Sequence, residues 1–185
     1  MEELKPHQRI KAYVMSVTES GKFGPQIVLS RKDPNFVKRL FELEIPEIND
    51  GTVMLYSVAR DAGNRSKVAV YSENPQVDPI GACIGEKGSR IARIIEELHG
   101  EKLDVIKYDK DPAVFIENAL SPAKDLTVAI TDPKKLEAMV IADGDNFSLA
   151  IGKKGQNARL ASKLTHFKID IKTTEQAREA GINFR

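Results

Sequence analysis

A Gly-x-x-Gly loop that occurs twice in the same local setting restricts the fold of this chain more than any other feature. The two copies are Ile84-Gly85-Glu86-Lys87-Gly88 and Ile151-Gly152-Lys153-Lys154-Gly155. Each leads into a stretch with helical apolar spacing and then into a short strand. After Gly88 the apolar residues fall at Ile91, Ile94, Ile95 and Leu98, and after Gly155 at Ala158, Leu160, Ala161 and Leu164. Both sets fit one buried helical face. The segments Leu103 to Lys107 and Ile169 to Lys172 then align with one residue of slack, so the chain reads as a duplicated module.

A single Gly-x-x-Gly is compatible with a plain turn before a helix. Its repetition in one context points to phosphate. Glycine lets a sugar-phosphate backbone approach the main chain and tolerates unusual dihedrals, while the first turn of the following helix offers unpaired N–H donors and positive dipole. Lys153, Lys154, Arg159 and Lys163 place four positive charges and no acid between Gly152 and Lys163. In the first copy Lys87, Arg90 and Arg93 are opposed by Glu86, for a local sum of plus two.

The 185 residues suffice for one or two domains, and 41% hydrophobic residues suffice for packed cores. Net charge is only +1, so an anionic partner must be recognised by where the charges sit rather than by their sum. No apolar run approaches the roughly 20 residues of a membrane span, and Met-Glu-Glu-Leu-Lys-Pro lacks a signal peptide's apolar core; a cytoplasmic protein with no membrane partner is expected. Cys83, the single cysteine, lies between Ala82 and Ile84 and reads as a small buried apolar side chain. His7, His99 and His166 are far apart, so neither a metal nor another cofactor is expected.

Asp33-Pro34 and Asp111-Pro112 each read as an N-cap followed by proline at the first helical position. The first helix carries Phe36, Val37, Leu40, Phe41 and Leu43 and ends before Pro46; the second carries Val114, Phe115, Ala119 and Leu120 and ends before Pro122. Hairpins follow, Thr52 to Ala59 with Ser66 to Tyr71 around Gly63-Asn64, and Leu126 to Ile130 with Ala138 to Ala142 around Asp132-Pro133. Each copy therefore runs helix, strand, strand, loop-linked helices, strand. Arg60, Arg65 and Lys67 surround the first hairpin turn and read as a solvated hairpin or an auxiliary basic patch.

That order, with Gly-x-x-Gly between the last two helices, resembles the type II KH fold. Finer strings narrow the resemblance: Val77-Asp78-Pro79-Ile80-Gly81-Ala82-Cys83-Ile84-Gly85, His99 to Val105, Asn118-Ala119-Leu120-Ser121-Pro122-Ala123, and Leu149 to Ala161. From about Gln26 to Thr173 the chain resembles the NusA family of bacterial transcription termination/antitermination factors. The expected fold class is α+β, with two tandem type II KH domains at 32–110 and 111–175. A partial S1-type OB segment at 1–31 would precede them and a polar tail at 176–185 would follow. Arg9 to Val17 and Gln26 to Arg31 look like the last hairpin of that barrel, with Ile10, Val14, Val28 and Leu29 as apolar positions. The family's polymerase-binding domain and most of its barrel are missing, so the chain is expected to be a fragment. A lone hairpin is only marginally stable and is expected to pack on the first KH unit or to be poorly ordered.

The resemblance implies binding of extended, single-stranded nascent RNA across both units during pausing, termination and antitermination, by a monomer that also contacts RNA polymerase and other elongation factors. The RNA-binding residues would be Gly85, Glu86, Lys87, Gly88, Ser89 and Arg90 in the first copy, and Gly152, Lys153, Lys154, Gly155, Gln156, Asn157 and Arg159 in the second. Ile84, Ile91, Ile151 and Ala158 would line the groove for bases or pack as core. Little linker precedes Asp111, so the units should form a rigid pair. A nucleotide-handling enzyme is disfavoured: there is no Gly-x-x-x-x-Gly-Lys-Ser/Thr string and no catalytic constellation. The open alternative is a KH scaffold that docks proteins, with the acidic Glu42 to Asp50 segment as one surface.

Overall fold

The computed structural model describes residues 2–19 and 21–182. Ser20 of the expected hairpin connection and residues 183–185 of the expected tail lie outside them.

Aspartate followed by proline starts a helix well, because the carboxylate caps an orphan N–H and proline has none to orphan. The chain does this three times. Asp33 accepts from the Asn35 amide at 2.8 Å and opens α1, Pro34–Glu44; Asp78 accepts from Ile80 at 3.1 Å and opens α3, Pro79–Ile84; Asp111 accepts from Ala113 at 2.9 Å and opens α5, Pro112–Ala119. Pro46 ends α1 and serves as the first residue of a one-turn α2, Pro46–Asn49.

Three separate sheets result among the described residues. An N-terminal hairpin pairs β1, Tyr13–Thr18, with β2, Gln26–Ser30. The first repeat follows α1 and α2 with β3, Met54–Asp61, and β4, Arg65–Tyr71, then α3 and α4, Ser89–Glu97, and closes with β5, Lys102–Lys107. The second follows α5 with β6, Thr127–Asp132, and β7, Glu137–Ile141, then α6, Asp145–Ile151, α7, Gln156–Thr165, and β8, Lys168–Lys172. In each unit a hairpin is extended by a parallel strand: Arg65 to Val70 pair with Lys102 to Lys107, and Glu137 to Ile141 with Lys168 to Lys172. A parallel partner needs a crossover, and the two helices around the Gly-x-x-Gly loop supply it.

The pleat of β4 connects the units, because successive side chains face opposite sides of a sheet. Val68 and Val70 point into the first core with Phe36, Leu40, Phe41, Ile94 and Leu98, whereas Ala69 joins Ala59 and Ile106 in the second core beside Phe115, Ile116, Leu160 and Leu164. The back of the first sheet is therefore covered by the second unit, with α7 lying on β3 and β4. Leu43 and Val114 fall on the solvent sides of their helices.

Two expectations need correction. Residues 174–179 form a helix, α8, with a reciprocal Thr173/Gln176 capping box and a buried Ala177, so the expected polar tail is ordered structure there. Neither a basic patch nor a solvated hairpin describes Arg60, Arg65 and Lys67. Arg60 and Glu101 form a buried pair, 3% and 1% exposed, in which Glu101 also accepts from Ser66 and the Gly63 amide. Arg65 donates twice to Asp104, and Lys67 is fully buried.

The N-terminal hairpin leaves Val14, Val17, Ile27 and Leu29 exposed, while Tyr13 packs against the first core. Arg31, just after β2, donates to Glu2, to the Glu97 carboxylate at 2.9 Å and to the Glu97 carbonyl at 2.9 Å, and stacks over Phe36. The hairpin is thereby fastened to the C-terminal end of α4.

Candidate nucleic-acid interface

The two loops have nearly the same backbone, residue for residue. Gly85 and Gly152 sit at φ 73°, ψ 176° and φ 75°, ψ 171°. Lys87 and Lys154 are left-handed at φ 50° and 52°, and Gly88 and Gly155 are left-handed N-caps at φ 76° and 72°. Among the described residues no side chain caps the helix start at either Gly88 or Gly155. The first amides of α4 and α7, those of Ser89 and Gln156, donate to the Glu86 and Lys153 carbonyls, and the amides beyond them keep the anion-attracting character of a helix N-terminus.

The glycines of each loop do different work. A Cβ on Gly152 would lie 2.7 Å from the Asn157 Cβ and 2.9 Å from its amide nitrogen, and one on Gly85 would lie 2.6 Å from the Arg90 side chain. The first glycine lets the chain pass beneath the second residue of the following helix. Among the described residues, nothing lies within 4 Å over Gly88, and over Gly155 only the Arg159 guanidinium, at 3.6 Å. The second glycine faces open space that a polymer backbone can enter.

Asn157 is not available to RNA as expected. It is 1% exposed, and its amide donates to the carbonyls of Leu120 at 3.0 Å, Leu149 at 3.2 Å and Ala150 at 3.1 Å. It clips the ends of α5 and α6 to the start of α7. Arg90 holds the matching position in the first unit and does matching work, donating to the Ala82 carbonyl and to Glu47, each at 2.7 Å. Gln156 is half-buried and donates to Asp61 of the first unit at 2.7 Å. That hydrogen bond, foremost, holds the Asp61 carboxyl below its usual range. Arg159 donates to the Lys154 carbonyl at 2.6 Å and so braces the loop from its exposed side.

The side chains left on the surface are Glu86, Lys87, Ser89, Lys153 and Lys154, all exposed. Ile84 is 38% exposed; Ile151 and Ala158 are half-buried, and half-buried Ile91 packs against the first core. The acidic segment is largely spent on neighbours: Glu42 pairs with Arg39, Glu47 with Arg90, and Glu44 lies 3.7 Å from Arg93. Burial pushes the Cys83 thiol up to about 12, as suits a core side chain. No group of three or more His, Cys, Asp or Glu that could hold a metal occurs among the described residues, and no helix there is long and apolar enough to cross a membrane.

Residues that sequence reasoning missed are those whose partners lie far along the chain: Glu47, Asp61, the Arg60/Glu101 pair and the Lys67/Asp104 pair. Only α8 carried a local signal, the Thr-x-x-Gln spacing of its capping box.

Residues 31–108 match the NusA-like first KH domain and residues 112–179 the NusA-like second KH domain. The transcription termination/antitermination protein NusA of Halalkalibacterium halodurans is 53% identical over 98% of this chain and 47% of its own length. Its namesake in Bacillus subtilis is 54% identical over 98% of this chain and 48% of its own length, and that of Borreliella burgdorferi 47% identical over 96% and 36%. The chain thus spans about half the length of these relatives, or less, all of which are transcription termination/antitermination proteins. The crystal structure of APE1850 superimposes with a TM-score of 0.55 at 24% identity, covering 75% of this chain and 97% of that one, which bears on fold alone. With the two NusA-like KH domains matched in tandem and such identity along nearly its whole length, the chain belongs to the NusA family.

Proposed function

We propose that this chain binds single-stranded nascent RNA through both Gly-x-x-Gly loops, as the tandem KH region of a cytoplasmic transcription elongation factor that regulates pausing, termination and antitermination. The observation that carries this reading is the pair of superimposable loops, each with an exposed lysine, an uncapped helix start and open space over its second glycine. Uncapped amides and lysines favour a polyanion, and glycine permits close approach. KH modules clamp about four backbone nucleotides in this manner. Aromatic residues make up only 6% of the chain, and aliphatic Ile84 and Ile151 beside the glycines take the place of stacking platforms.

The element order and the parallel closing strand support type II KH units. The exposed apolar hairpin supports its reading as the end of an S1-type barrel. RNA polymerase and other elongation factors are the proposed protein partners, and the chain itself acts as a monomer. Pairing of Glu42 and Glu47 within the chain weighs against the acidic segment as the main docking surface.

Anisotropy titration of labelled single-stranded RNA at several salt concentrations tests the reading. For single strands log affinity falls with log salt at about 0.7 per neutralised phosphate. Lys153→Asp/Lys154→Asp, folded by circular dichroism, is expected to lose most binding and to flatten that slope. Equal binding by wild type and variant would refute the loop assignment.

A further inference from the structure

Lys67 is the one lysine among the described residues with a fully buried side chain, and it lies between the two units. Its ammonium donates to the Asp104 carboxylate at 3.0 Å and to the Ser121 carbonyl, just past α5, at 2.8 Å. Asp104 is held in turn by two bonds from Arg65, at 2.7 and 3.0 Å. A charge is costly to bury, and an apolar residue on the back of β4 would serve a simple core contact. Two further ties act on the same junction. Ser57 of β3 donates to the Leu164 carbonyl near the end of α7 at 2.8 Å, and Gln156 at its start donates to Asp61 at 2.7 Å. Helix α7, which begins at the second Gly-x-x-Gly loop, is therefore pinned at both ends to the sheet of the first unit, and Lys67 pins the adjoining α5 end. Asn157 then joins that α5 end to α7 through the Leu120 carbonyl.

We propose that Lys67 is a positioning residue that sets the spacing between the two loops, so that the pair selects RNA by the distance between its two clamped segments. Lys67 touches no RNA. The inference rests on the RNA-binding reading above and adds a specificity rule to it. Two clamps on a rigid frame favour one spacing strongly, whereas loosely joined clamps accept many with lower effective concentration.

The test uses RNAs in which two four-nucleotide segments are joined by abasic spacers of increasing length, with one four-nucleotide segment alone as reference. Wild type is expected to show an affinity maximum at one spacer length. Lys67→Met is expected to keep its affinity for the single segment within about twofold while the maximum flattens and falls about tenfold or more. A merely destabilised fold would lower both affinities together. Spin labels at Glu96→Cys and Asp170→Cys in a Cys83→Ser background should give a narrow distance distribution with Lys67 and a broad one with Lys67→Met. Should Lys67→Met fail to fold, Asp104→Asn, which removes the charge holding Lys67, reads the same two quantities. An unchanged maximum with a narrow distribution in the folded variant overturns the proposal, as does a wild type that binds RNA with no preferred spacer. A wild type that binds none of these RNAs sinks the RNA-binding reading itself.

Discussion

Alanine in place of Gly152 and of Gly155 should give two different proteins, although the positions share one motif. Gly152 combines φ 75° with ψ 171°, a region essentially closed to other residues, where strain costs about 1–3 kcal/mol. The new Cβ would also meet the Asn157 amide nitrogen at 2.9 Å, and that backbone cannot yield without shifting α7 off its clip. The combined loss is about 3 kcal/mol or more. For a chain of this length about 1 kcal/mol moves Tm by roughly 2–4 °C, so Gly152→Ala should melt some 6–12 °C early. Gly155 is left-handed at ψ 14°, costing alanine about 1–2 kcal/mol, partly offset by about 0.4–1 kcal/mol from a restricted unfolded chain. Its Cβ meets only the Arg159 guanidinium at 3.6 Å. Gly155→Ala should therefore lose less than about 6 °C, yet bind RNA more weakly, because the methyl fills the space over the loop. Thermal melts and anisotropy on both variants decide. Equal melting losses would refute the division of labour between the glycines, and wild-type RNA affinity in Gly155→Ala would refute the open face as the place of approach.

Arg60→Met should cost about 3–5 kcal/mol in denaturant unfolding, because it leaves Glu101 buried with too few partners, whereas Arg60→Met/Glu101→Met should cost clearly less than the sum of the single changes; additivity would deny the coupling. Acid should loosen the junction. The Gln156 hydrogen bond lowers the Asp61 carboxyl, and for Asp104 burial, which raises it, is outweighed by Arg65 and Lys67. Folded carboxyls with lowered pKa bind fewer protons than unfolded ones at 3.8, so their contribution is complete above that pH and is lost as pH falls below it. Tm should be level near neutrality and drop below about pH 4, and a Tm rising on acidification would contradict the sign. The Cys83 thiol, buried and raised to about 12, should resist an aromatic disulfide reagent at pH 8 until the protein unfolds; rapid reaction in the native state would contradict its burial.

Much of this molecule was legible because its signals are local. Asp33-Pro34 and Asp111-Pro112 start helices with atoms two residues apart, and the paired loops announce two copies of one unit. What escaped depends on residues distant in sequence. Whether Asn157 points at solvent or inward is decided by the Leu120 carbonyl, 37 residues earlier, and whether Lys67 is a surface cation by the Ser121 carbonyl, 54 residues later. Sequence periodicity reports that β4 alternates, but not that a second unit covers its other face. Valine and alanine on β4 look alike to such a reading, yet Val68 serves one core and Ala69 the other. Within the loop sequences the same limit applies: Arg90, Gln156 and Asn157 have the chemistry to contact RNA, and the fold has committed each to a partner in the chain.

The most direct test of the central claim is a map of backbone amide shifts by heteronuclear NMR as single-stranded RNA is added to the full chain. Shifts are expected to concentrate at Gly85, Lys87 and Gly88 and at Gly152, Lys154 and Gly155, spreading to the first turns of α4 and α7. Shifts confined to the β1–β2 hairpin or to the Glu42 to Asp50 segment, with both loops silent, would contradict it.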